Sequence, residues 1–360
     1  MPSTPLLARH QKAGARLAEE AGWRMPRDFG DAEAEHRACR EGAIVMDLSH
    51  RGKLTFSGPD AAAFLHGMLT NRVQDLKPGE GVYAAFLTRQ GKFVSDLHLY
   101  RREEDFLALT PPGMGAPLAQ AIDHFIIMDQ VEVKDCAEAL CALGVFGPKA
   151  PAVVVRAGLP WPDLPEHGFA AKDEALAARE LWTGEEGCVL LAPAGRAEGL
   201  WDGLISAGAR PAGLRAFETL TLEAGVPLFG PDLGPEVNPM QAGLEARAID
   251  FQKGCYIGQE VIAKIKYLGQ VNRGLAGIRL AGSAAPPAGA RVWHGEEEAG
   301  EVTRAALSPT LGKPVALAYL HRKAMAPGTA VRLRWEGGEA EGQVAELPFY
   351  PGHRADGAGG

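Results

Sequence analysis

The chain has 360 residues, 46% hydrophobic and 23% charged, with 45 acidic against 37 basic residues for a formal net charge of -8. That length exceeds what a single core usually serves and predicts two or three domains, and the acidic balance without long basic runs excludes a general nucleic-acid or anionic-membrane surface. Five cysteines, Cys39, Cys136, Cys141, Cys188 and Cys255, form no C-x-x-C pair, which excludes a disulfide framework and a clustered zinc site and fits a reducing compartment. No apolar run reaches signal or membrane-spanning length, so the chain reads as soluble and cytoplasmic.

Residues 31–42 carry a charged helical pattern, and 43–48 read as a buried strand followed by a second strand over 53–57. Gly58, Pro59 and Asp60 suit the first turn of a helix that presents Ala63, Phe64, Gly67 and Met68 on one face. Stretches 83–88, 92–100 and 106–110 are rich in aromatic and branched residues and predict an antiparallel meander. A helix over 117–128 leads to a strand over 130–134, and a second α/β stretch begins at 143–146, ended by Gly147 and Pro148. Residues 160–165 and the Lys/Glu/Ala run after them predict an exposed connection. Leu181-Trp182 and 188–191 then flank a turn at 183–187, and helices follow near 197–207 and 214–223. Beyond Gly274 short β-type runs broken by Gly and Pro predict a small all-β barrel or sandwich, with a loose tail over 351–360.

One run carries the strongest chemical signal: Lys253-Gly254-Cys255-Tyr256-Ile257-Gly258-Gln259-Glu260. A thiolate, not a thiol, is the reactive species, and a neighbouring ammonium together with the free N–H groups of a helix start favour it. Ile257, Val261 and Ile265 recur every fourth residue and predict that helix. Cys255 is therefore expected as a reactive thiol, against the alternative of a small buried hydrophobe. His50, His66, His98 and His124 are widely spaced, and no metal site is expected.

Several stretches resemble the aminomethyltransferase superfamily, which includes the glycine-cleavage T-protein and YgfZ-type folate-binding proteins. They are Glu35-His36-Arg37-Ala38, Asp47-Leu48-Ser49-His50-Arg51-Gly52, Leu69-Thr70-Asn71, the Thr183-Gly184-Glu185-Glu186-Gly187 turn, Leu222-Glu223-Ala224-Gly225, and Asn238-Pro239. The octet around Cys255 resembles the YgfZ-type signature. The resemblance implies an α+β, three-domain, cloverleaf-like T-protein arrangement around a central tetrahydrofolate channel, with a C-terminal small β-barrel. Residues 1–52 and 141–240 would form a discontinuous first domain, 53–140 an inserted meander domain, 241–273 a cysteine-motif segment and 274–350 the barrel.

The resemblance implies site residues too. Asp96 matches the carboxylate that supports a cationic one-carbon intermediate, and Glu185 the carboxylate for the pterin edge. Asp96, His98 and Tyr100 alternate to one strand face, so Tyr100 and, on the preceding strand, Tyr83 join the folate-binding set. Lys253 would meet the glutamate tail of folate or hold the Cys255 thiolate. The chain departs from the T-protein pattern at Thr221 and Phe217, where arginines are expected. The reading that follows is a YgfZ-type protein that binds tetrahydrofolate and assists iron–sulfur cluster assembly or repair, with iron–sulfur proteins or assembly factors as partners. The alternatives are an aminomethyltransferase acting on a lipoyl-bound aminomethyl group, in which case the protein is a folate-dependent one-carbon transferase, and a non-catalytic folate-binding scaffold.

Overall fold

Alternating side-chain direction along Ile44–Asp47, buried throughout, organises the first part of the molecule: Val45 faces one apolar layer, while Ile44 and Met46 face another. A strand buried on both faces belongs in the middle of a covered sheet. In this computed structural model, which describes residues 3–352, that sheet has six strands. Their order is Phe169–Lys172, Ala175–Arg179, Gly187–Pro193, Leu140–Phe146, Ile44–Asp47 and Arg210–Ala212. Helices Ala150–Arg156 and Ala197–Ser206 cover the Val45 face through Val153, Val154, Trp201 and Leu204. Helices Ala32–Glu41 and Leu214–Glu223 supply Cys39, Ala216, Phe217 and Leu220 to the other. Asp31 caps the first of these two helices by accepting from the Glu33 and Ala34 N–H groups.

The expected meander forms a second, antiparallel sheet in the order Gly81–Leu87, Phe93–Arg101, Asp105–Pro112, Arg51–Ser57 and Glu132–Asp135. Helices Ala61–Met68 and Gly115–Asp123 pack on one face of it. The strands beyond Gly274 close into a six-stranded barrel. Among the described residues no helix is long and apolar enough to cross a membrane. The tail expected at the C-terminus lies outside the described residues from 353 onward.

The Lys/Glu/Ala run is not the exposed connection expected. Phe169–Lys172 and Ala175–Arg179 form a hairpin turned by Asp173 and Glu174, both at positive φ (49° and 63°), the two-residue turn whose twist matches paired strands. Its inward side chains include Ala177 and Ala178, fully buried but too small to announce a strand by hydrophobicity. A second hairpin, Arg16–Glu20 with Trp23–Asp28, escaped notice because its first strand has no fully buried residue. The helix that begins at the end of the octet runs Gln259–Leu268 and starts from Gly258 at φ +84°, where a Cβ would lie 2.6 Å from the Thr88 carbonyl oxygen. Ile262 is fully buried, while Val261 and Ile265 are half-buried, so the packed face is turned from the stripe the spacing predicts.

Candidate functional site

A cavity of about 1160 Å³ lies where the two sheets and the barrel converge. The second sheet supplies its polar floor. Cross-strand register sets Tyr83 opposite His98 and Ala85 opposite Asp96, and the tyrosine hydroxyl donates to Asp96 Oδ2 at 2.7 Å. Burial raises the Tyr83 hydroxyl well above its ordinary value, so it remains the donor. Asp96 Oδ1 is buried without a partner, as are Arg51 Nε, His50 Nδ1 and Trp182 Nε1. All four residues line the cavity. Their hydrogen-bonding capacity is left over for water or a bound molecule. Trp182, Phe217, Leu222 and Leu228 give the walls an apolar character, and Arg16, Arg27 and Arg215 bring positive charge to the lining.

Behind this floor a carboxylate gathers the groups next to it. Glu180, fully buried, accepts from the Tyr100 hydroxyl at 2.8 Å. His167 Nδ1 and His98 Nδ1 each lie 3.1 Å from one of its oxygens. Burial alone would raise Glu180, but the two imidazoles hold it well below the usual carboxylate range. Burial also pulls both imidazoles down. Glu180 overrides this at His167, whose value is raised, while His98 stays lowered. The ligand atoms of His98, His167 and Glu180 all lie within 4.8 Å of one another, the spacing a metal ion would need. Their mutual charge and hydrogen bonding already account for that proximity. Tyr100 thus reaches the site through Glu180 rather than lining the cavity.

The remaining residues expected at the site lie elsewhere. Glu185 is fully buried and accepts from Arg40 Nη1 at 2.9 Å, outside the cavity lining. The Lys253 ammonium is also buried. It donates to the His66 carbonyl, to Leu69 O at 2.5 Å and to Asn71 O at 3.0 Å. Three donors meet three carbonyls at the end of helix Ala61–Met68, which leaves none for a thiolate or a folate carboxylate. Cys255 is exposed, precedes the helix start and does not line the cavity. At Thr221, where an arginine was expected, cationic charge arrives from the barrel: Arg304 Nη1 donates to Thr221 Oγ1 at 3.1 Å, and Arg304 Nε to Asp232 Oδ2 at 2.6 Å. Phe217 packs edge-on to Trp182, ring centres 6.1 Å apart.

Sequence reasoning passed over Arg51, Trp182, His167 and Glu180. Arg51 and Trp182 stood beside residues already singled out, in Asp47–Gly52 and before the Thr183 turn. His167 and Glu180 carried no local signal.

His50 gives the site a pH dependence. Burial pushes its imidazole down to about 3, so the folded protein keeps it neutral while the unfolded chain takes up a proton below about 6.5. Acid therefore favours unfolding, and the loss at pH 5 is about 2 kcal/mol relative to pH 7. Urea unfolding at both pH values should show His50→Gln losing less stability than the wild type by about that amount; equal losses would refute the assignment.

Comparison with known proteins follows the same outline. Residues 6–253 match the GCVT N-terminal domain, and residues 273–351 the glycine cleavage T-protein C-terminal barrel domain. The chain is 35% identical to an aminomethyltransferase of Streptomyces coelicolor over 96% of this chain and 97% of that protein. It is 36% identical to one of Rubrobacter xylanophilus over 99% and 96%. The crystal structure of glycine cleavage system aminomethyltransferase T from Bartonella henselae superposes with a TM-score of 0.91 at 28% identity, covering 97% of this chain and 98% of that one. The expected T-protein architecture with its C-terminal barrel is thereby established. The iron–sulfur reading is overturned: nearly full-length relatives carry the name aminomethyltransferase. The octet that suggested otherwise has its lysine committed to helix carbonyls and its cysteine outside the cavity.

Proposed function

The chain belongs to the glycine cleavage T-protein family, and we propose that it is an aminomethyltransferase that binds tetrahydrofolate in the cavity around Asp96. The observation that carries this reading is the Asp96 carboxylate, one oxygen fixed by Tyr83 and the other buried without a partner in an apolar-walled cavity. The donor set suits the folate. Asp96 Oδ1 can accept from its N–H groups, Trp182 and Phe217 offer aromatic faces to its flat rings, and Arg215, exposed at the rim, can meet its carboxylates. When bound, tetrahydrofolate supplies the nitrogens that take up the one-carbon unit as ammonia leaves.

The chain's own part is electrostatic. A carboxylate held in place before the reaction begins stabilises positive charge that develops beside it, at no reorganisation cost. Tyr83 keeps Asp96 in one rotamer, and the apolar wall thins the competing water. Neutral His98, between Tyr83 and Trp182 with ring centres 4.9 and 5.0 Å away, holds both rings in place without adding a charge of its own.

Two measurements on purified protein test the proposal: calorimetric titration with tetrahydrofolate, and ammonia release with tetrahydrofolate and an aminomethyl-loaded lipoylated carrier. Heat of binding and stoichiometric ammonia are expected. Absence of both would discard the reading.

A further inference from the structure

The proposed function leaves the lysine of the octet without a task. Lys253 is 6% exposed, and among the described residues no carboxylate lies within ion-pair reach of it. Its donors go instead to the carbonyls of His66, Leu69 and Asn71, the last two at 2.5 and 3.0 Å. A buried ammonium held by carbonyl dipoles alone bears a desolvation cost that an ion pair would offset. The segment it grips is the one that seats the strand bearing Tyr83. After helix Ala61–Met68 the backbone turns extended at Leu69, and Leu69 bridges to Phe86. The Thr70 N–H donates to Ala85 O at 3.0 Å, and the Ala85 N–H donates to Thr70 Oγ1 at 2.9 Å. Asn71 Nδ2 then donates to Tyr83 O at 3.0 Å and to Arg247 O at 3.2 Å.

The Tyr83 hydroxyl in turn holds Asp96, so three hydrogen bonds in series lead from the ammonium to that carboxylate: Lys253 to Asn71, Asn71 to Tyr83, Tyr83 to Asp96. We infer that Lys253 is a positioning residue for the one-carbon site, which fixes Asn71 and, through it, the place of Tyr83 and the aim of Asp96. The inference rests on the proposed role of Asp96. It gives the site a second sensitivity to pH. Burial pulls Lys253 down to about 8, with Asp250 opposing that fall and Arg72, itself paired with Asp250 and Asp75, adding to it. Two more groups stand around the ammonium. They are His66, held below its ordinary value by burial and by Lys253, and Tyr256, its ring centre 5.2 Å from Nζ and its hydroxyl pushed by burial up to about 12. A neutral lysine has two N–H donors for three carbonyls. The grip on Asn71 therefore loosens as pH rises through about 8.

The test uses the full-length protein with tyrosine carbon-13-labelled at the ring Cζ. The chain has six tyrosines, and the Tyr83 signal is the one that Tyr83→Phe removes. In the ligand-free wild type that signal should shift between about pH 7 and pH 9, as Lys253 loses its proton. Lys253→Arg should keep the neutral-pH position across that range, because arginine stays charged. Lys253→Met should sit away from it at every pH. In turnover of ammonia release, Lys253→Met should lose roughly 10- to 100-fold, the effect of a small misplacement of a reacting group, with tetrahydrofolate affinity within a few-fold. The losses of Lys253→Met and Tyr83→Phe should be far from additive, since one acts through the other. A Tyr83 signal that does not move in the wild type would overturn the inference. So would a shift of the same size in Lys253→Met, which would belong to His167, or additive losses in the double variant, which would leave Lys253 a purely structural task. Failure of the folate reading is seen separately, as absence of heat with tetrahydrofolate and of ammonia, neither of which the tyrosine signal needs.

Discussion

Asp96→Asn should lower the turnover of ammonia release by roughly 100- to 1000-fold, the range seen when a preorganised electrostatic contact to a transition state is removed. Asparagine keeps the shape and can still accept from the Tyr83 hydroxyl, but it no longer offers a negative charge to the reacting centre. The loss should appear in turnover more than in tetrahydrofolate affinity, because the charge acts on what develops during reaction. The fold should tolerate the change. Asparagine keeps the Tyr83 hydrogen bond, but the Asp96 charge also offsets the burial of Arg51, so the melting temperature should fall modestly while the protein stays folded. Turnover within tenfold of the wild type would remove Asp96 from the chemistry.

The part of this site legible in the sequence was the part made by neighbours in one sheet. Alternation along 92–100 set Asp96 and His98 on one face, and a short meander turn brings Tyr83 beside them. Alternation alone does not tell a solvated face from a covered one; here both side chains are buried, because the first sheet and the barrel close over them. Glu180 was illegible for a different reason. Its partners Tyr100 and His167 are joined to it only by folding, and a lone glutamate before Leu181-Trp182 looks like any surface carboxylate. The octet around Cys255 shows the opposite failure. The sequence sets a lysine two residues from a cysteine, but the ammonium takes three helix-end carbonyls as partners instead. Burial there pulls Lys253 down to about 8. The hairpin at 169–179 shows where composition misleads, since alanine fits a crowded sheet without supplying a hydrophobic signal.

Glu223→Gln should be the most destabilising single change among the polar residues, at roughly 3 to 5 kcal/mol, the usual cost of breaking a buried charged network from one side. Glu223 is fully buried at the end of helix Leu214–Glu223. Its carboxylate accepts from Arg40 Nη2 at 2.6 Å and Thr310 Oγ1 at 2.8 Å, pairs with His36 Nε2 at 2.8 Å, and takes a further bond from the Ser308 hydroxyl. His36 and Arg40 stand on helix Ala32–Glu41, while Ser308 ends a barrel strand. One carboxylate therefore ties the first sheet's helical layer to the barrel, and Arg40 extends the tie to Glu185. A glutamine turns an amide N–H toward donors that have nowhere else to point. Acid should reproduce the loss in the wild type. Burial alone would raise Glu223, but His36, Arg40 and Ser308 hold it at about 2, below its ordinary 4.5. Its stabilising share is complete above about 4.5 and disappears as pH falls to about 2, a change of about 3 kcal/mol. Urea unfolding across that window should show the slope in the wild type and its absence in Glu223→Gln, and a variant that matches the wild type at pH 7 would show that the barrel is held by its apolar contacts instead.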